Sequence, residues 1–439
     1  MSSVTVREHA LLTTEPVKAT LDRAQVSVSA FDWLCELSAS FKKSGASLVQ
    51  RDGQRSLKLD NYVGIVETPC GTRLEILPKH RHHNDCVKES RALLQKMIQV
   101  ALDLPIRQAN TASLELFDTP LPEWLMRHFL QALDHLVKRG MRFDYRNIKE
   151  QQQFLRGQLN VVAQMRQPPG REHLFQIRYD VFQPDGPENR LLRKALEQVC
   201  EFTRDPDNWR LAHELRHLLH EVTPSRSIIQ DLKRWRTDRL MAHYQPIKPW
   251  CELILGEQSP LAVSGDWHGI SLLFPMEKLF ERYVEVMLRR DLPSAATLSA
   301  QPSRHSLCSH QGKPLFQLRP DFLLRHAAST WILDAKWKLL DGADPDDKYG
   351  LKQSDFYQMF AYGQRYLEGK GDMVLIYPKH DSFARALEPF AFTKDLRLWV
   401  LPFDLVAGEL VGGEKVGLPL EGLELQQRPD NPIESPLIK

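Results

Sequence analysis

Residues 318–338 read LRPDFLLRHAASTWILDAKWK. The stretch contains two short apolar runs; Asp321 precedes the first run, and Asp334 lies at the end of the second. We predict that the two runs are neighbouring buried strands. An ionised carboxylate at the buried end of a strand is costly unless another group compensates its charge. A bound metal ion would provide that compensation.

A lysine follows the second carboxylate at a spacing of two. Because side chains alternate along a strand, Asp334 and Lys336 are expected on one face. If the two strands pair, Asp321 joins them at one edge of the sheet, and a hard divalent cation would relieve the repulsion between the carboxylates. We expect Mg²⁺, with Mn²⁺ as a substitute. Lys336 would then orient or help deprotonate an attacking water, which is apparatus for hydrolysing a phosphodiester.

A helix is predicted after these strands, and it carries Asp355, Gln358 and Tyr362 on one face at spacings of three and four. Upstream, Glu281 in the segment MEKLFERYV either adds a carboxylate to the metal site or is an ordinary surface glutamate of an amphipathic helix. The predicted metal ligands are Asp321, Asp334 and Glu281. The candidate catalytic residues are Asp321, Asp334, Lys336, Gln358, Glu281 and Tyr362.

The length of 439 residues predicts more than one domain, because one hydrophobic core does not grow to this size. We expect a multidomain α+β protein with a β-rich N-terminal domain (1–110), a mostly helical middle region (111–254), a C-terminal α/β domain (255–425) and a loose tail (426–439). Hairpins are predicted around Asp52-Gly53 and Cys70-Gly71. A long basic helix is predicted from residue 226 to about Pro246.

The composition is that of an ordinary soluble protein, with 42% hydrophobic and 26% charged residues. The net charge of +2 means that any surface for nucleic acid is a local patch. No apolar run is long enough to span a bilayer, no N-terminal signal core is visible, and the six cysteines form no CxxC pair. These features favour a cytoplasmic protein that does not interact with membranes.

Other segments carry weaker signals. HELRH, from His213 to His217, matches the zinc-peptidase pattern but has no third ligand at the expected spacing, so a charged helix explains it better. HRHHNDC, at 80–86, fits a polar loop better than a metal site. Lys233 and its basic neighbours fit either phosphate contacts or a solvated helix face. The chain has no GxxxxGK[ST] loop, so we do not expect it to hydrolyse nucleotides itself.

The pairing of Pro320-Asp321 with Asp334-Ala-Lys336 resembles the signature of PD-(D/E)xK nucleases, which have a restriction-endonuclease-like fold, and Gln358-x-x-x-Tyr362 resembles an element of their RecB-like branch. Over most of its length the chain resembles the McrC family, the nuclease subunits of McrBC-type restriction systems that act on 5-methylcytosine DNA. The segments that carry this resemblance, in chain order, are YVGIVETPCGTRLEILPKH, FLRGQLNV, YDVFQPDGPENRLLRKAL, MEKLFERYV, LRPDFLL, ILDAKWK, SDFYQMFAY and VLIYPKHD.

The resemblance implies a magnesium-dependent DNA endonuclease that works with an McrB-like AAA+ GTPase hexamer and cuts double-stranded, modified DNA. It also implies that an N-terminal finger enters the GTPase ring and stimulates GTP hydrolysis. The hairpin 47–59, with Arg51 and Arg55 near its tip, is a candidate finger or else a plain surface hairpin. Two alternatives remain: a non-catalytic assembly factor that activates the motor with a vestigial nuclease fold, and a zinc peptidase that uses HELRH.

Overall fold

The computed structural model describes residues 3–41, 48–81, 86–105, 119–171, 173–256 and 268–420. Its helices are α1 Val28–Phe41, α2 Val87–Ala101, α3 Leu121–Arg139, α4 Val161–Met165, α5 Pro187–Phe202, α6 Pro206–Leu218, α7 Ile228–Lys233, α8 Lys248–Ile254, α9 Met276–Asp291 and α10 Gln353–Tyr366. Short 3-10 helices span Arg239–Tyr244, Lys348–Gly350 and Gly413–Val416. Within these residues no helix is both long enough and apolar enough to cross a membrane.

The strands are β1 Ser3–Arg7, β2 Leu11–Thr13, β3 Arg23–Gln25, β4 Val49–Arg51, β5 Ser56–Leu59, β6 Tyr62–Glu67, β7 Arg73–Leu77, β8 Asp144–Gln152, β9 Gln158–Leu159, β10 Phe175–Gln183, β11 His268–Pro275, β12 Thr297–Ala300, β13 His305–His310, β14 Lys313–Leu318, β15 Phe322–His326, β16 Ser329–Ala335, β17 Gly371–Pro378, β18 Phe390–Ala391, β19 Leu396–Asp404 and β20 Glu409–Leu410. Helices and several separate sheets together make an α+β protein, as predicted.

The chain divides into two compact units, one of Met1–Ile76 with Leu102–Phe274 and one of Leu77–Ala101 with Pro275–Lys439. Helix α2 therefore groups with the C-terminal sheet, although it precedes the helical region in the sequence. The predicted domain boundaries near residues 110 and 254 stay predictions. The predicted tail, 426–439, lies outside the described residues.

The first unit begins with two small sheets, of strand order β1-β7-β6-β11 and β3-β2-β5-β4. Both predicted hairpins are confirmed: β4 pairs with β5 antiparallel around Gly53, and β6 pairs with β7 around Gly71. Gly53 and Gly71 have φ of 90° and 79°, the left-handed backbone that glycine adopts without steric cost. Apolar residues of both sheets share one core, which includes Leu12, Leu57 and Val66.

Helices α3, α5, α6, α7 and α8 form the helical part of the first unit. A buried carboxylate, Glu123, fastens α3 to the start of α6: it accepts hydrogen bonds from Thr203 Oγ1 at 2.7 Å, Arg204 N at 2.7 Å and Asn208 Nδ2 at 2.9 Å. Buried carboxylates of this kind are stable only when their oxygens are satisfied, and here they are.

The predicted basic helix is wrong. Helix α7 ends at Lys233, and the chain re-forms a 3-10 helix only at Arg239. The break has a physical reason, because Glu188 holds Arg236 between them: the backbone N–H of Arg236 donates to Glu188 Oε1 at 2.9 Å. The Arg236 guanidinium lies 3.1 Å from Glu188 and 2.8 Å from Asp144, so it belongs to an ion-pair network although its side chain is 38% exposed.

A three-stranded sheet of order β8-β10-β9 extends from this network. The sequence of β8, DYRNIKEQQ, is mostly polar on both faces and has no apolar alternation that would predict a strand. Exposed apolar side chains cluster around β9 and α4; Phe154 is 63% exposed, Leu155 58% and Met165 83%. An apolar cluster left in solvent is a candidate protein contact.

The second unit contains a sheet of order β12-β15-β16-β17-β19-β18, with β20 paired to β19. Its centre is parallel, from β16 through β17 to β19, and its edges are antiparallel. Helices α9 and α10 pack against β16, and α2 packs against α9. The central strands are buried, as their apolar runs predict. The carboxyl ends of the parallel strands meet at one sheet edge, where ligands commonly bind in α/β sheets.

Candidate active site

The two apolar runs of residues 318–338 are β15 and β16, neighbouring strands as predicted; they pair antiparallel, with Phe322 opposite Leu333. This register brings Asp321, just before β15, beside Asp334 near the end of β16. The backbone N–H of Ala335 donates a 2.8 Å hydrogen bond to Asp321 Oδ2 and holds the two strand ends together. Both carboxylates therefore lie at the sheet edge that the sequence analysis predicted.

The side chain of Asp334 is 1% exposed and that of Lys336 is 29% exposed. Lys336 Nζ lies 2.7 Å from Asp334 Oδ2 and forms an ion pair with it. The ammonium partly compensates the buried charge. A buried carboxylate whose charge one cation compensates only in part is suited to a further cationic ligand.

Burial and mutual repulsion raise the pKa values of three carboxyl groups here. Burial, followed by the charges of Asp334 and Glu281, raises the pKa of Asp321 to about 8. Burial also raises the pKa of Asp334, against the opposing effect of Lys336. The pKa of Glu281 is raised mainly by burial and further by Asp334, although a hydrogen bond from Gln301 opposes this. The charge of Asp334 raises the pKa of both Asp321 and Glu281, as expected of acids that share one site.

Lys336 keeps its proton. Burial disfavours its charge, but the adjacent Asp334, together with Asp321 and Asp355, outweighs that effect and raises the pKa of the ammonium group. Its Nζ also donates a 3.1 Å hydrogen bond to Gln358 Oε1. The group is therefore a fixed cation beside the carboxylates.

A hydrogen-bonded chain leads from this cation across α10. Gln358 Nε2 donates to Tyr362 Oη at 2.9 Å, and Tyr362 Oη donates to the backbone carbonyl of Arg319 at 2.9 Å. Because Arg319 precedes Pro320-Asp321, the chain connects both strand ends to one helix. Gln358 and Tyr362 are thus positioned to orient Lys336 and Asp321.

Glu281 on α9 is half-buried and accepts a 2.8 Å hydrogen bond from Gln301 Nε2. Gln301 follows β12, and its backbone N–H donates to Asp321 O at 2.8 Å. Gln301 could not be predicted from the sequence, since no local pattern marks β12. Tyr377 is a further residue at the site that was not predicted; its hydroxyl donates to Asp355 at 3.4 Å. Its position at the carboxyl end of the parallel strand β17 could have indicated it.

The donor set fits a hard cation in an open site. Carboxylate oxygens are the ligands that Mg²⁺ prefers, and their raised pKa values show how unfavourable the charges are without a cation. Among the described residues, however, no three His, Cys, Asp or Glu side chains are grouped as a complete metal cluster. Asp321 and Asp334 would therefore hold the ion with water or substrate completing its shell, and Glu281 as a third ligand stays a prediction.

An apolar cavity of about 590 Å³ lies on the other face of α10. Phe356, Phe360, Phe390 and Phe392 line it, and the carboxylates do not. The cavity is therefore separate from the candidate active site.

HELRH lies on α6 with Leu215 buried and Glu214, Arg216 and His217 exposed, as the simpler interpretation of a charged helix predicts. The Nδ1 of His213 is 2.9 Å from the carbonyl of Trp209, and the His213 ring contacts the Trp209 ring at 4.1 Å. The described residues contain no three-residue metal cluster in this segment. In HRHHNDC, His83 lies outside the described residues.

The fold and this site define a multidomain α+β protein with clustered carboxylates and a lysine at the end of a mixed sheet. The family model described as "McrBC 5-methylcytosine restriction system component" matches residues 57–378, from β5 to the end of β17. This chain belongs to that family, which confirms the resemblance. No curated protein sequence matches the chain.

Two solved structures from Thermococcus gammatolerans are similar in fold. One is a half-complex from a tetradecameric assembly of McrB AAA+ hexamers with bound McrC; the matched chain is 20% identical with a TM-score of 0.69, and the match covers 94% of this chain and 98% of that one. The other is the McrBC complex, at 23% identity, a TM-score of 0.50, and coverage of 66% and 88%. At these identities the matches establish the fold.

Proposed function

We propose that this chain is the DNA endonuclease subunit of a cytoplasmic McrBC-type restriction complex, with a PD-(D/E)xK site in its second unit. The observation that carries the proposal is the cluster at the ends of β15 and β16. There the buried Asp334 and the partly exposed Asp321 lie beside a lysine that a glutamine holds in place. A structural domain has no need to retain such unfavourable charges, whereas a phosphodiesterase uses them.

In this proposal Asp321 and Asp334 hold Mg²⁺, or Mn²⁺ in its place. The bound ion would polarise a phosphoryl oxygen and favour ionisation of a water. Lys336 supplies a fixed positive charge at Nζ, which orients the attacking water and attracts the phosphate. Gln358 and Tyr362 keep that ammonium group in place through the hydrogen bonds described above.

The proposed partner is an McrB-like AAA+ GTPase hexamer, and the proposed substrate is modified double-stranded DNA. Two features support the partner: the chain lacks a nucleotide-binding loop, and a chain of similar fold is described as bound to McrB hexamers. The hairpin 47–59 remains one candidate contact; Arg55 there pairs with Glu15 at 3.4 Å. The β8–β10–β9 sheet is a second candidate, because its end carries exposed apolar side chains.

The test combines the chain with the neighbouring-gene AAA+ protein, modified plasmid DNA, GTP and Mg²⁺. Wild type is compared with Asp334→Ala and with Asp334→Asn, which keeps the side-chain size. Asp395→Ala is the matched control, since Asp395 is exposed at the opposite edge of the same sheet. We expect both Asp334 variants to lose cutting by at least about 100-fold while GTPase stimulation stays within twofold.

If cutting persists in both Asp334 variants, the carboxylates are not the active site. If Asp334→Ala loses assembly and GTPase stimulation as well as cutting, that variant shows only a folding defect. The result for Asp334→Asn, which keeps the side-chain size, then decides. If wild type stimulates GTP hydrolysis but never cuts, the non-catalytic assembly factor becomes the better description.

A further inference from the structure

The second unit carries a feature that the proposed chemistry does not use. Strands β13 and β14 form a two-stranded sheet of their own, joined by a tight turn in which Gln311 and Gly312 both have positive φ. We call His305–Leu318 the β13–β14 ribbon. Most of its side chains are exposed on both faces, so burial of apolar surface does not explain it.

The segment that contains the ribbon carries basic residues and no acidic ones. No aspartate or glutamate occurs between Leu292 and Pro320, a span of 29 residues in a chain with 56 acidic residues among 439. At that average frequency, about four acids would be expected in the span. The same span contains Arg304, Lys313 and Arg319, all exposed. Within the described part of the chain, neither Arg304 nor Lys313 forms an ion pair, so both can bind phosphates.

The ribbon is rooted at the candidate active site. Its second strand leads through Arg319 and Pro320 directly to Asp321. Tyr366 of α10 fastens the root: its hydroxyl donates to Leu318 O at 2.8 Å, and its ring contacts that of His305 at 4.6 Å. A molecule that binds along the ribbon therefore lies next to the carboxylates.

Phe316 has an unusual conformation. The register pairs Ser306 with Gln317 and Cys308 with Leu315, and between these pairs Phe316 adopts a φ of 56° and is 72% exposed. A bulky residue in the left-handed region is strained, and a strained residue that also places an aromatic ring in solvent indicates a contact with another molecule.

We propose that the β13–β14 ribbon lies in the major groove of the DNA duplex beside the bond to be cut, with Arg304 and Lys313 on phosphates. This inference rests on the proposed nuclease function and adds the surface that presents the substrate. The major groove is about 12 Å wide and admits a two-stranded ribbon. Ser309, an exposed polar side chain on the ribbon, can reach base edges, and positive charge without acids favours DNA over a protein partner.

The experiment measures binding of the full chain, without the motor, to a fluorescein-labelled duplex in Ca²⁺ as salt rises from about 20 mM. Arg304→Ala/Lys313→Ala is compared with Lys370→Ala/Lys394→Ala. The control removes the same charge from exposed positions at the opposite edge of the sheet. Each phosphate contact contributes about 0.9 to the slope of log affinity against log salt concentration, which is about eightfold in affinity per tenfold change in salt. We expect this slope to be smaller by about 1.8 in the Arg304→Ala/Lys313→Ala variant, which loses two contacts, and unchanged in the control variant.

Phe316→Gly provides a second measurement that separates contact from folding. Glycine relieves the positive φ, so the melting midpoint should stay the same or rise, while DNA affinity falls several-fold. Equal DNA binding by wild type and the Arg304→Ala/Lys313→Ala variant overturns the proposal, as does an absence of wild-type binding at the lowest salt. Loss of GTPase stimulation with unchanged DNA binding would assign the ribbon to a protein partner and also overturn it.

The outcome is distinguishable from failure of the nuclease proposal. If wild type binds DNA through the ribbon but the complete mixture never cuts, the catalytic proposal fails alone. If Asp334→Asn abolishes cutting but binds DNA as wild type does, and Arg304→Ala/Lys313→Ala weakens DNA binding, both proposals are supported.

Discussion

Replacing Asp321 with asparagine is expected to stabilise the metal-free protein. Burial, together with Asp334 and Glu281, raises the pKa of Asp321 from 3.8 to about 8. At pH 7 the folded protein must therefore bind a proton that the unfolded chain lacks. Asparagine removes this requirement, and its amide oxygen can still accept the hydrogen bond from Ala335 N.

The magnitude follows from proton linkage. Protonating an acid of ordinary pKa 3.8 at pH 7 costs about 4 kcal/mol. This is an upper value, because relaxation and water penetration around the site weaken the field, and we expect about 2 kcal/mol. For a unit of this size that corresponds to about 4–8 °C in melting midpoint. Because the pKa of an acid is raised in the folded state, the penalty is absent below about pH 4 and grows as the pH rises towards 8.

The assay is thermal and urea denaturation of wild type, Asp321→Asn and the exposed control Asp395→Asn in EDTA at pH 4.5 and pH 7.5. We expect the Asp321 variant to exceed wild type at pH 7.5 and to approach it at pH 4.5. Added Mg²⁺ should raise the wild-type midpoint and leave the variant nearly unchanged, because binding stabilises only the form that binds. An Asp321→Asn protein that is less stable than wild type at pH 7.5, or a difference that does not grow with pH, would refute this reasoning.

Two further predictions concern positioning groups. Tyr362→Phe loses the hydroxyl that links Gln358 to the strand end, so the single-turnover cleavage rate should fall about fivefold. The control is Tyr357→Phe, on the exposed face of the same helix, which should cleave at the wild-type rate. Equal rates for Tyr362→Phe and wild type would show that Tyr362 is not part of the site. Gly157→Ala should destabilise the β8–β10–β9 sheet by about 1–3 kcal/mol, because Gly157 has a φ of 70° and an added Cβ would lie 2.5 Å from the Tyr179 Cβ. If this sheet contacts the motor, the same variant should also bind the motor more weakly. Gly170→Ala, with a φ of 90° and open space around it, is the control; hydrogen exchange of β9 and β10 reports the difference.

Much of the fold could be predicted because its signals are local. The apolar runs around Asp321 and Asp334 predict β15, β16 and their pairing, and the glycine turns predict the N-terminal hairpins. Strand β8 could not be predicted, since a polar strand paired in solvent lacks an apolar alternation. The prediction of a long basic helix was wrong because tertiary contacts override helix propensity there: Glu188 accepts a hydrogen bond from the backbone N–H of Arg236 and pairs with its guanidinium.

The sequence by itself determined which residue types occur at the ends of the two strands, and so the kind of chemistry to expect. Only the tertiary structure decided that the pKa of Asp321 is raised and that Gln358 contacts Lys336 from a separate helix. The physical reason is that strand and turn preferences act over a few residues. Burial and electrostatic coupling instead depend on which distant segments pack together, and local sequence patterns do not encode that.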